Sequence, residues 1–145
     1  MLCWGNNKHG QLGLGGVEEE TFCTPQESKY FNANNKSVSI KQISCGYNHT
    51  LILLNDGTLL SCGNNDMNQL GHDGSHTKPE IIKSLDIHFF VQIACGYSFS
   101  LALNNLGQIY AFGSISGKRE GDLFFLKPTY VMNTFQIGFL LENFI

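Results

Sequence analysis

Proline and charge are both scarce in this 145-residue sequence: three prolines, and 14% Asp, Glu, Lys and Arg. Nine basic against twelve acidic residues leave a net charge of −3, and nothing like the clustered Lys and Arg of a nucleic-acid or anionic-membrane surface is present. No Cys-x-x-Cys pair occurs among cysteines 3, 23, 45, 62 and 95. An odd, unpaired set of that kind reads as small buried hydrophobes in a reducing compartment. With 42% apolar residues the chain suits a packed domain rather than a disordered one. The first residues, Met1-Leu2-Cys3-Trp4-Gly5, run straight into patterned sequence, so no secretory or transit segment is expected. The sequon-like triplets Asn35-Lys36-Ser37 and Asn48-His49-Thr50 are then expected to be silent.

Glycine, in contrast, is abundant, with 16 residues, and it recurs in register. Ile43-Ser44-Cys45-Gly46-Tyr47 returns as Ile93-Ala94-Cys95-Gly96-Tyr97, and Gly57 and Gly63 return as Gly107 and Gly113. Across 43–63 and 93–113, nine of 21 positions are identical. Self-similarity with a 50-residue period is the mark of a solenoid, an array or a propeller. Such a unit predicts a binding scaffold.

Within one unit, Val38 to Cys45 alternates but changes phase midway, which predicts a strand with a bulge. Thr50 to Leu54 is nearly continuous in apolar residues, the pattern of a strand buried on both faces. Asp56-Gly57 between apolar runs predicts a hairpin, because both residue types tolerate positive φ, and Leu59 to Cys62 returns as a third strand. A polar loop, 63–71, leads to a short outer strand at Pro79 to Ile82. The unit is therefore a four-stranded antiparallel meander. Residues 91–113 repeat the plan, and Leu51, Leu53, Leu101 and Leu103 are expected to share one core between the two units. An earlier partial copy opens the chain, because Trp4-Gly5-Asn6-Asn7 and Gln11-Leu12-Gly13 match Cys62-Gly63-Asn64-Asn65 and Gln69-Leu70-Gly71.

These residues together (Trp4-Gly5-Asn6, Gly10-Gln11-Leu12-Gly13, Cys45-Gly46-Tyr47-Asn48-His49-Thr50 and Asp56-Gly57) resemble RCC1-type repeats. The opening Met-Leu-Cys-Trp-Gly, with Lys78-Pro79-Glu80, further resembles the small HERC ubiquitin ligases. That resemblance implies an all-β fold of propeller blades, here an incomplete propeller of about two blades plus partial ones. On that reading residues 1–121 are RCC1-like repeats: a partial blade 1–37, a blade 38–87 and a blade 88–121. Departures from the pattern are Phe99 for the strand histidine, Phe112 and Cys62 for tryptophan, and Asn68 and Lys118 for the loop glycine seen at Gly10. The third Gly-Gln-Leu-Gly is degraded to Lys118-Arg119-Glu120-Gly121. Nothing matches a HECT catalytic domain, so the chain reads as a fragment or a truncated form.

Residues 122–145 form a divergent apolar tail with three readings. It is the product of an altered reading frame or retained intron, a degenerate strand containing Pro128 that leads into a further blade, or a membrane anchor. The anchor reading is the weakest, since the uncharged stretch 128–141 falls short of the ~20 residues a spanning helix needs.

No catalytic, cofactor-binding or metal-binding residue is assigned. His72, Asp73 and His76 share a polar loop without a third strong ligand, and His49 lies between a glycine and a buried strand without a nucleophile. Gly13-Leu14-Gly15-Gly16 lacks phosphate-loop spacing. The expected function is cytoplasmic protein binding through blade loops 5–13, 63–71 and 113–121, without nucleic acid or membrane partners. The alternative implied by the resemblance is an RCC1-type exchange factor that contacts a small GTPase. The acidic balance and the lack of a basic N-terminal arm count against chromatin as a partner.

Overall fold

The computed structural model describes residues 1–16, 20–31, 38–115 and 123–133. Among the described residues, ten antiparallel strands form three sheets in chain order. The first sheet pairs β1 (Leu2–Asn6) with β2 (Thr21–Glu27). The second holds β3 (Ile40–Cys45), β4 (His49–Leu54), β5 (Leu59–Gly63) and β6 (Glu80–Ile81). The third holds β7 (Phe90–Cys95), β8 (Ser98–Asn104), β9 (Gln108–Ile115) and β10 (Leu123–Asn133). Each four-stranded sheet is a meander in which neighbours in sequence are neighbours in space.

The phase change read in the first strand is a bulge. Register slips by a residue between Ile40 and Gln42, and again between Phe90 and Gln92. The Asp56-Gly57 turn joins β4 to β5 as the expected hairpin, with Gly57 at a positive φ of +83°. Leu54 N–H donates to the Thr58 carbonyl (2.9 Å), closing a three-residue loop, and Asp56 Oδ1 accepts the Thr58 amide at 3.0 Å. At Asn68, which takes the place of Gly10, φ is 59°. Asparagine tolerates the left-handed region better than other non-glycine residues, so this departure leaves the loop intact.

Two apolar layers separate the sheets. Leu51, Leu53, Leu59, Ile82 and Leu85 pack against Phe90, Ile93, Ala102 and Phe112 between the second and third sheets. Ile52, Leu54 and Leu60, from the other face of the second sheet, pack with Phe31. Here the expected shared core is corrected. Leu51 and Leu53 are in it, but Leu101 and Leu103 are half-buried on the opposite face of the third sheet. Units related by a repeat present equivalent residues in the same direction. Leu51 and Leu53 therefore meet the next sheet's Ala102 face, and Leu101 and Leu103 point to where a further sheet would stack. An open recess of about 220 Å³ lies there, lined by Gln92, Leu101, Leu103 and Ile109.

The tail stretch 123–133 is β10, the outer strand of the third sheet, and Pro128 sits at a register break between Phe125 and Thr129, where a missing N–H disturbs no ladder bond. Lys127-Pro128 repeats Lys78-Pro79, a recurrence that the bulky apolar surroundings conceal in the sequence. The strand reading thus describes 123–133, while Asn35-Lys36-Ser37, Lys118 to Gly121 and 134–145 lie outside the described residues.

With Leu101 and Leu103 only half-buried and Leu2, Trp4, Phe124 and Leu126 exposed, the 145-residue chain is expected to self-associate and to take up an apolar dye. Analytical ultracentrifugation with dye binding checks this. A compact monomer that melts cooperatively without dye uptake would overturn it.

Candidate functional site

The polar loops after β1 and β5 are built on one hydrogen-bond plan. In the first, Asn7 Oδ1 accepts the Leu12 amide (3.1 Å), Gln11 Oε1 accepts the His9 amide (3.0 Å), and Gln11 Nε2 donates to Asn6 Oδ1 (3.0 Å). In the second, Asn65 Oδ1 accepts the Leu70 amide (2.9 Å), Gln69 Oε1 accepts the Met67 amide (2.9 Å), and Gln69 Nε2 donates to Asn64 Oδ1 (2.8 Å). The Asn and Gln of the repeat thus serve as loop braces. Their side chains satisfy backbone groups that a long loop would otherwise leave to water.

Each braced loop is also locked onto the following sheet. Thr50 Oγ1 donates to the Gln11 carbonyl at 2.7 Å, and Ser100 Oγ donates to the Gln69 carbonyl at 2.8 Å. The closing glycines are required by close approach. A Cβ on Gly13 would lie 2.9 Å from Pro79 Cγ, and one on Gly71 would lie 2.9 Å from Pro128 Cγ. Along the inner strands, Gln42 reads the backbone of the next sheet twice: its Nε2 donates to the Ile93 carbonyl (2.9 Å) and its Oε1 accepts the Ile93 amide (3.0 Å). Ser44 Oγ accepts the Cys95 amide at 2.9 Å.

His49 and Phe99, at one repeat position, fold back over Gly46 and Gly96. A Cβ on either glycine would overlap the ring, which explains the Gly-Tyr-x-aromatic spacing. His49 is buried, and its Nε2 lies 3.0 Å from Ser100 Oγ. Because the Ser100 proton is given to the Gln69 carbonyl, His49 Nε2 is the donor of this contact. Nδ1 is left with no hydrogen-bond partner. Burial pushes the His49 pKa down to about 4, opposed in part by the Phe99 backbone. The ring is a neutral structural pin between sheets. A serine that already donates to a carbonyl is no activated nucleophile.

His72 is tied into its own loop, with Nδ1 accepting the Gly74 amide at 3.0 Å, and burial lowers its pKa. Among the described residues no group of three or more His, Cys, Asp or Glu side chains is arranged to hold a metal ion. No helix among them is long and apolar enough to cross a membrane.

What the loops offer is surface. Loops 5–13 and 63–71 stand side by side, joined where Asn64 Nδ2 donates to His9 Nδ1 at 3.2 Å, and an open cleft of about 740 Å³ lies between them. Of the third expected loop, 113–121, residues 116–121 lie outside the described residues. Beside the cleft, Tyr47 and Tyr97 stack with ring centroids 4.3 Å apart and planes 14° from parallel. Neither tyrosine was assigned a role from sequence. Their recurrence at a 50-residue spacing, without a strand to belong to, was the available signal.

A repetitive sheet scaffold that presents braced loops on a rim defines a partial β-propeller. The Regulator of chromosome condensation (RCC1) repeat matches residues 1–53 and 56–103, and a second model of the same repeat matches residues 40–69. The chain belongs to the RCC1-repeat family. It is 48% identical over 93 residues, 64% of its length, to the probable E3 ubiquitin-protein ligase HERC4 of Rattus norvegicus, and spans 8% of that protein. It is 42% identical over 71 residues, 49% of its length, to the secretion-regulating guanine nucleotide exchange factor of Bos taurus, spanning 14% of it. Among solved structures it resembles Prp20p of Saccharomyces cerevisiae, described with binding properties to Gsp1p and histones, with a TM-score of 0.75 and 27% identity. That likeness covers 90% of this chain and 33% of Prp20p.

Proposed function

We propose that this chain is a protein-binding segment of a HERC-type ubiquitin ligase, acting in the cytoplasm and contributing no transfer chemistry of its own. The observation that carries the proposal is the pair of braced loops, which spend their Asn and Gln side chains on holding a rigid polar rim. Rigid loops lose little entropy on docking, which favours recognition of another protein. The identity to HERC4 favours the ligase context. The test is comparative capture from cells using the wild-type chain and a Lys8→Glu, Asp66→Lys rim variant. Partners retained by the first and lost by the second support the reading, and identical capture sets would sink it.

A second reading, regulation of a small GTPase, is favoured by the likeness to the bovine exchange factor and by the Gsp1p binding described for Prp20p. The two separate in a nucleotide-release assay on Gsp1p. The binding-segment reading expects the chain to leave GDP release at its intrinsic rate.

No ubiquitin thioester is expected on any of the five cysteines after incubation with a charged conjugating enzyme. Burial pushes the Cys62 thiol up to about 12 and raises Cys3 and Cys95. At these three positions the raised pKa leaves little of the thiolate that acyl transfer needs, while Cys23 and Cys45, expected to be buried, are exposed. A ubiquitin adduct that is cleaved by hydroxylamine but survives a phosphine reductant would be a thioester and would show the chain to be an enzyme.

A further inference from the structure

Tyr47 and Tyr97 are 64% and 65% exposed, so the core does not account for them. They are nonetheless held in place. Each follows an inner strand at the same repeat position, Tyr47 N–H donates to the Tyr97 carbonyl (3.3 Å), and the rings stack. Together they wall a shallow recess with Asn64, Asp66, Met67 and Gln69. Its one carboxylate is that of Asp66, fixed there because Oδ2 accepts Asn64 Nδ2 at 2.7 Å. A carboxylate retains acceptor capacity beyond that single bond.

We infer that this recess is the anchor point for an arginine side chain of a protein partner. The inference rests on the protein-binding reading above. A stacked tyrosine pair offers broad π faces to a cation, and a guanidinium lies flat on such a face while its N–H groups reach a carboxylate. Lysine fits less well, because its ammonium is compact, strongly hydrated and unable to stack. Nucleic acid would also find faces to stack on, but its phosphates would meet Asp66 and a chain of net charge −3. Exposed, preorganised tyrosine beside an exposed methionine, Met67, is the composition enriched at protein interfaces.

The experiment is an NMR titration of the full 145-residue chain with ring-labelled tyrosine. The probes are a twelve-residue Gly/Ser peptide bearing three arginines, its lysine counterpart, and an oligomer of twelve deoxythymidines. The arginine peptide is expected to shift the Tyr47 and Tyr97 resonances saturably and to bind about tenfold more tightly than the lysine peptide. Asp66→Asn is expected to weaken it about tenfold, and Tyr47→Ala with Tyr97→Ala to abolish binding of a fluorescently labelled arginine peptide, read by its anisotropy, while leaving the melting temperature within a few degrees. The inference is overturned by no saturable shift, by equal affinity for both peptides, by indifference to Asp66→Asn, or by preference for the oligonucleotide. If the arginine peptide fails while the rim variant still loses its cellular partners, this recess alone is misassigned and the protein-binding reading stands.

Discussion

Replacing Leu53 with Ala is expected to destabilise the protein by about 2–5 kcal/mol, whereas Leu103→Ala, at the same repeat position, should cost much less. Leu53 is fully buried in the layer between the second and third sheets, surrounded by Leu51, Leu59, Phe90 and Phe112. Truncation there loses the transfer free energy of the deleted atoms and leaves a cavity that a stacked pair of sheets cannot collapse to fill. Leu103 makes the same ladder contacts within its own sheet, opposite Ile109 and Gln92, but its outer side faces the open recess. Paired chemical denaturation of the two variants is the check. Equal costs would mean that Leu103 is covered in solution, and a neutral Leu53→Ala would remove the inter-sheet layer from the account.

Acid is expected to loosen the same interface through His49. The folded pKa, lowered by burial to about 4, lies below the ordinary value of 6.5, so the unfolded chain binds the extra proton first. The associated stability is fully present above pH ~6.5, and is lost as pH falls from there towards about 4, for a total of about 3 kcal/mol. The cost has a visible origin. A protonated ring would carry its charge between Gly46, Ser100 and the second and third sheets, with Nδ1 lacking a hydrogen-bond acceptor. Denaturant unfolding between pH 4 and 7.5 measures the slope. The control comes from the repeat itself: His49→Phe copies Phe99 and should flatten the profile in this window. A wild-type profile equal to that of His49→Phe would show that the histidine does not carry the effect.

Local structure was legible because it depends on local chemistry. The bulge after Ile40, the doubly buried strand ending at Leu54 and the brief outer strand at Glu80–Ile81 all follow from patterns a few residues long. The loop positions were legible too, because Gly-Asn-Asn and Gln-Leu-Gly recur together at Gly5 to Gly13 and Gly63 to Gly71. What each residue does there was not. That Gln11 and Gln69 brace their loops, or that Gln42 pairs with the backbone of Ile93, depends on partners 51 residues away or on side-chain geometry within a closed turn.

The sequence by itself determined the strand plan, the repeat and the family to which the chain belongs. All three are carried by residue type and spacing, and the 50-residue recurrence survives even where Phe99 replaces histidine. Tertiary structure decided which way each face points, and with it the assignment of Leu101 and Leu103 to an open side in place of a shared core. It also decided that 123–133 closes the third sheet, that His49 is neutral, and that Tyr47 meets Tyr97 on the rim. A repeat fixes direction only once two units are stacked, since alternation within one strand distinguishes two faces without saying which neighbour covers either. Burial, proton affinity and ring stacking are set by that neighbour, and it lies some 50 residues away along the chain.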